Sequence, residues 1–388
     1  MTRTLLAVPT GRRVGLTSTC VGLVTALDRA GVEVGFVKPI AQPRGAGSDR
    51  SAALVRMLTR LRPPDPVPAD QAAALLGAGR QDELMERIVA LTDPLAGCDV
   101  VVVEGLVPSA EHVWSTRVNT ALAAALDADV LLVADGAASP PELAEAVAIA
   151  AAPYRTGELL PVAGCVVSRV PEPSGQWTAG IAEALRERGI ALAGAVPLRP
   201  EITWPRVRDV ARELGARTLV DGEDTRRVRE VLVCAQAVPG LLSWLQDGAL
   251  LLVPGDRHEV LMAAGLAASN GVRLAGLLLT AGVEPDPRVL GLTSGAAGLP
   301  ILVVDELTYP TAVRVHDMDP ELSTDDPERA REVADTVADA LDPAWLHDLP
   351  GAGRRRRLTP AAFRHRLVES ARRAGARIVL PEGAEPRT

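Results

Sequence analysis

Thr4-Leu5-Leu6-Ala7-Val8-Pro9-Thr10-Gly11-Arg12-Arg13-Val14-Gly15-Leu16-Thr17-Ser18 lies at the start of the chain and decides how the rest is read. A short apolar run, suited to a buried strand, enters a Gly-containing turn, and hydroxyl residues mark the start of a helix. A strand–turn–helix of this kind presents backbone N–H groups and a helix N-terminus to a phosphate. The strict phosphate-loop pattern also has an early glycine and a lysine directly before the Thr. Here Leu16 stands at the lysine position, and Pro9 and Thr10 stand where the early glycine belongs. That lysine sets a cation against the outer phosphates of a nucleotide, and phosphoryl transfer depends on its charge. Three readings of the turn follow: a loop kept for folding, a loop that binds an anion or nucleotide for regulation, and an ATP-using active site. Thr17 and Ser18 also have a plain role, since hydroxyls at a helix start cap its free N–H groups.

The same organisation continues outward. A helical stretch, a glycine stop and an apolar strand recur at Gly31 before 32–37, Gly189 before 190–196, Gly271 before 272–280 and Gly375 before 377–380. Glycine past the last helical turn takes the left-handed conformation that ends a helix. Further strands are expected at 4–8, 99–104, 129–134, 161–168, 249–253 and 300–304. Strands apolar on both faces and alternating with helices specify parallel sheets covered on two sides. The fold class is therefore α/β: a phosphate-loop-like, mostly parallel sheet domain over 1–215, then a smaller α/β domain over 216–325. An acidic helix (327–340) and an Arg-rich linker fill 326–357, and 358–388 open a further unit. The strand at 377–380 is followed by a Gly-containing turn, so its crossover helix is expected beyond Thr388. The helix at 360–374, lacking that unit's partners, is expected to be mobile or loosely packed and to contribute little to the remainder.

In open α/β sheets, ligands sit beyond the carboxyl ends of the strands. Lys38, the single lysine of the chain, follows the second strand, and Glu104 ends another. With Thr10, Gly11, Gly15, Thr17 and Ser18 they form the candidate binding residues for a nucleotide or anion. Asp49 can face the same crevice, where Thr17, Asp49 and Glu104 have the chemistry for Mg²⁺. A buried Lys38–Glu104 ion pair is the competing reading. No metal ligand set and no catalytic residue is assigned.

Of 388 residues, 47% are hydrophobic, but only 2% are aromatic, so the cores are built from Ala, Val and Leu. The net charge of −8 argues against a nucleic-acid surface. The four cysteines are scattered without metal-ligand spacing. No stretch reaches the roughly 18–20 apolar residues of a membrane span, and no signal-peptide pattern starts the chain; a cytoplasmic location is expected.

These stretches resemble a known family. Val8–Gly11 with Val14–Ser18, Phe36–Pro43, Val103–Pro108 and Gly194–Pro197 resemble the N-terminal domain of the long-form bacterial phosphate acetyltransferases (phosphotransacetylases). That domain is itself similar to dethiobiotin synthetase. Thr225–Val228, Asn270–Val272 and Leu277–Thr280 look like the family's DRTGG-type domain. Leu358–Pro360, Phe363-Arg364 and Arg377–Thr388 look like the entry to its acyltransferase domain. The resemblance implies acetate metabolism, in which acetyl-CoA and phosphate exchange with acetyl phosphate and CoA, with the catalytic residues in the domain that follows. It implies a regulatory and assembly role for this part, inactive alone, with that catalytic domain as partner. It further implies a homo-oligomer and a small-molecule effector such as a nucleotide or NADH. No cofactor is assigned. Alternatives are an ATP-dependent, dethiobiotin-synthetase-like ligase and a ligand-free oligomerisation scaffold.

Overall fold

The computed structural model describes residues 2–42, 49–109, 113–155, 161–171, 175–294, 298–318, 322–351 and 357–374. The expected strand at 377–380, the Gly375 stop and Arg354–Arg356 lie outside them. The chain divides into two units, Met1–Leu198 with Leu322–Thr388, and Arg199–Glu321.

The first unit holds β1 (Arg3–Pro9), β2 (Val34–Val37), β3 (Val100–Glu104), β4 (Asp129–Asp135), β5 (Val162–Val170) and β6 (Leu192–Pro197). All pair in parallel, in the order β2-β3-β1-β4-β5-β6. Every residue of β2 and β3 is buried, as helices covering both faces require. The order reverses at β1, which places the crevice at the carboxyl ends of β1 and its neighbours. Gly31 and Gly189 sit at φ 74° and 67°, the left-handed stops expected of them.

The second unit holds β7 (Arg217–Val220), β8 (Glu230–Val233), β9 (Ala249–Pro254), β10 (Gly276–Thr280) and β11 (Ile301–Val303). They order as β7-β11-β10-β9-β8, parallel except for β7 against β11. β7 and β8 were not expected from sequence: each has four residues, none of them buried.

Three expectations change. The division falls before residue 215, because Val207 and Val210 of the helix Val207–Leu214 are buried in the second unit's core beside Leu250 and Leu278. The acidic helix Pro327–Ala340, expected in a segment of its own over 326–357, packs on the helix Leu16–Arg29 of the first unit. Gly22 permits this approach, since a Cβ there would lie 2.3 Å from Val337 Cβ. Arg29 adds ion pairs to Asp335 and Asp339. Beyond this helix, Asp342 N–H donates to Ala193 O (2.9 Å) and Trp345 Nε1–H to Ala163 O (2.8 Å). Residues 326–351 thus complete the first unit.

The helix Pro360–Arg373 is docked on the first unit rather than left without partners. Thr359 caps it and donates to Ala125 O at 2.7 Å, and Ala361 is buried. Arg364 pairs with Asp82 and Glu86, and His365 with Asp93.

Candidate functional site

Parallel register brings the first two site residues together. Val37 pairs with Val103 across β2 and β3, so Lys38 and Glu104, one residue further along each strand, emerge side by side. Lys38 Nζ donates to Glu104 Oε1 at 3.1 Å and to Gly105 O at 3.1 Å. Both side chains are almost fully buried, 3% and 1% exposed. The Lys38–Glu104 ion pair expected from sequence is present.

Two hydroxyls complete the cluster. Thr17 Oγ1, in the first turn of its helix, donates to Glu104 Oε1 at 2.9 Å, and Ser51 Oγ donates to the same oxygen at 2.8 Å. Oε1 therefore collects three donors, while Oε2 is buried without a hydrogen bond among the described residues. Sequence reasoning missed Ser51; the available signal was its place two residues after Asp49, at a helix start. Asp49 itself does not join the group. Its Oδ1 caps the helix Arg50–Leu58 through Ser51 N–H and Ala52 N–H, and Oδ2 accepts from Gln42 N–H.

The loop is tied down from below. Thr10 N–H donates to Val133 O, and Ser168 Oγ–H donates to Val14 O at 2.6 Å. Gly15 is left-handed (φ 76°) and precedes the helix without a side-chain cap. A side chain there would be strained in that conformation and would meet Ser168 Oγ. Gly11 is half-buried and Arg12 and Arg13 are exposed. Ser18 lies half-buried one residue beyond Thr17 and makes none of the bonds to Glu104. Gly105 is needed for a different reason: a Cβ there would sit 2.7 Å from Ala7 O, where β1 and β3 converge.

Electrostatics sets what the group can do. Leu16 is 3% exposed and packs inward, so the position where a phosphate loop carries its lysine holds no charge. The backbone N–H groups at the start of the helix Leu16–Arg29 remain suited to an anion. Glu104 meets its counter-charge inside the protein, from Lys38. For a divalent cation, Thr17 and Glu104 offer oxygens and Oε2 lacks a donor among the described residues, but Asp49 is committed to backbone. Among the described residues no cluster of three His, Cys, Asp or Glu side chains forms a metal site. Cys20, one turn into the same helix, has its thiol held well above the ordinary range, first by burial and then by Glu104, with Lys38 opposing. No helix among the described residues is long and apolar enough to cross a membrane.

Residues 3–206 match the AAA domain family and residues 209–318 the DRTGG domain family. A phosphate acetyltransferase of Pseudomonas putida is 43% identical over 401 aligned residues, covering 99% of this chain and 57% of the relative. Those of Pseudomonas aeruginosa and Escherichia coli are 42% and 35% identical, covering 57% and 58% of their lengths. The chain therefore spans less than two thirds of these relatives. Among solved structures, cobyrinic acid a,c-diamide synthase of Mycobacterium smegmatis with ADP and magnesium is 19% identical at a TM-score of 0.36. The match covers 51% of this chain and 87% of that one. MinD of Pyrococcus horikoshii with Mg-ADP gives 14% and 0.34, over 52% and 84%.

Proposed function

We propose a function from one plain premise: the chain belongs to the AAA domain family over residues 3–206 and carries a DRTGG domain over 209–318. The proposal is that it is the regulatory and assembly part of a phosphate acetyltransferase, a cytoplasmic enzyme of acetate metabolism. The parent enzyme would exchange acetyl-CoA and phosphate for acetyl phosphate and CoA. The observation that carries this reading is the 43% identity over 99% of this chain to a phosphate acetyltransferase.

The site chemistry supports a non-catalytic role. Leu16 is buried where phosphoryl transfer needs a cation, and Glu104 is already neutralised by Lys38. Backbone N–H groups at Gly15–Ser18 suit a small anion or a nucleotide acting as effector, and a partner acyltransferase domain would supply the turnover.

The test is direct. The purified chain, given acetyl-CoA and phosphate, should release CoA no faster than a buffer blank. Turnover well above the blank would show that this part is catalytic by itself and remove the proposal. Its regulatory component is read separately, by thermal shift with NADH, ATP and pyruvate in turn. A shift with at least one is expected; no shift with any of the three contradicts effector binding.

A further inference from the structure

The joint between the final helix and the first unit is not fully packed. A cavity of about 80 Å³ lies where the helix Pro360–Arg373 meets the end of the helix Gln81–Thr92. One water needs at least about 10–15 Å³ of such space, so there is room for a molecule of about five non-hydrogen atoms. Val89, Leu358 and Ala362 give the cavity an apolar wall. Thr92 lines it too, but its hydroxyl donates to Val89 O at 2.7 Å and has no hydrogen left for a ligand. The rest of the lining is ionisable: Arg357, Arg366, His365 and Asp93. Asp93 Oδ2 meets His365 Nε2 at 2.5 Å, so the acidic group already has its partner. Arg366 does not. Arg364 of the same helix pairs with Asp82 and Glu86, and Arg372 with Glu369, whereas Arg366 has no ion pair or hydrogen bond among the described residues.

We propose that this cavity is a binding site for a small oxyanion, held by Arg366 and Arg357. Both arginines line the cavity and are exposed, which puts them at its mouth. Two arginines against one aspartate make the lining positive. The start of the helix Pro360–Arg373 adds a positive pole and the end of Gln81–Thr92 a negative one, so the arginines decide the sign. A guanidinium presents paired N–H groups that match the oxygens of a phosphate or a carboxylate equally. Inorganic phosphate and a short carboxylate such as acetate are both of the size that fits. The site also joins two elements, since Val89 and Thr92 belong to one helix while Ala362, His365 and Arg366 belong to the other. An occupant therefore holds the final helix to the first unit, and the helix cannot undock without releasing it. The proposal is independent of any effector at Gly15–Ser18.

The experiment is hydrogen exchange of the full chain over 360–373 in sodium phosphate or sodium acetate, each against sodium chloride at equal ionic strength and pH. An anion that binds only the docked helix slows exchange through undocking by 1 + [L]/Kd, about elevenfold at ten times Kd. Slowing by either anion is the expected result, and the anion with the larger effect is the one the site prefers. Two variants, each read against its own exchange in chloride, locate the effect. Arg366→Gln should lose the slowing. Arg373→Gln, an equal change of charge at an exposed position of the same helix, should keep it. Equal exchange in all three salts overturns the site, and so does an Arg366→Gln chain that responds like the native one. Loss of the response in Arg373→Gln as well would reduce it to general charge screening and overturn it too. Slowing confined to 9–20 would also overturn it, while leaving an effector at the first loop standing.

Discussion

Gly22→Ala tests the assignment of residues 326–351 to the first unit. In a helix interior this exchange ordinarily stabilises by about 1 kcal/mol, because alanine restricts the unfolded chain more and glycine exposes backbone. At Gly22 the new methyl would lie 2.3 Å from Val337 Cβ, 2.4 Å from Val337 Cγ1 and 3.1 Å from Ala334 O. Neither the Cβ nor the carbonyl can swing aside, so the helices Leu16–Arg29 and Pro327–Ala340 must separate. Overpacking of this kind costs about 1–3 kcal/mol, and separation also loosens Val333, Ala334 and Val337, all buried there. A net loss of about 1–2 kcal/mol is expected. Urea unfolding measures it, with Gly180→Ala as the matched control. Gly180 is exposed in the helix Gly175–Arg186, where a Cβ meets only Pro140 at ordinary distance, so the control should gain a few tenths to 1 kcal/mol. If Gly22→Ala stabilises as much as the control, the acidic helix does not pack on the loop helix and the reasoning fails.

Glu104→Gln strands a buried Lys38 ammonium and should cost about 3–5 kcal/mol, whereas Lys38→Met with Glu104→Gln should recover most of it; a cycle of urea midpoints without coupling between the two would refute the pair. Burial pushes the Cys165 thiol up to about 12 and the Cys234 thiol up to about 11. Both thiols should then stay protonated and unreactive toward Ellman's reagent near pH 8, with labelling that rises with pH; rapid native labelling of either contradicts their burial. Thr359→Ala removes the cap of the final helix and its bond to Ala125 O, at about 0.5–2 kcal/mol. Hydrogen exchange over 360–373 should accelerate in that variant, and unchanged protection would mean that the helix is held in another way.

Much of the first unit was legible because burial on both faces leaves a long apolar run. The apolar runs inside 99–104 and 129–134 could be nothing but buried strands, and Gly31 and Gly189 stop the preceding helices for a steric reason visible in one letter. The second unit was harder. β7 and β8 have only four residues each and none is buried; β8 opens the apolar run 231–235, which was not read as a strand. The packing of Pro327–Ala340 was hidden for another reason. Its buried stripe is alanine and valine within an acidic sequence, and its complement is the absent side chain of Gly22, three hundred residues away in sequence. At the site, Lys38, Thr17 and Glu104 were found from their places at strand and helix ends. Ser51 and Ser168 were not, because a serine anchors a loop only through a three-dimensional approach that spacing does not encode. Asp49 drew attention as a carboxylate near the crevice, and the structure gives it to the backbone N–H groups of its own helix.

The central claim is that the first loop keeps the shape of a phosphate loop without its chemistry. Phosphate release from Mg·ATP by the purified chain, measured beside Thr17→Ala, tests it most directly. Both proteins are expected to release phosphate at the same background rate. Sustained release by the native chain that Thr17→Ala abolishes would contradict it.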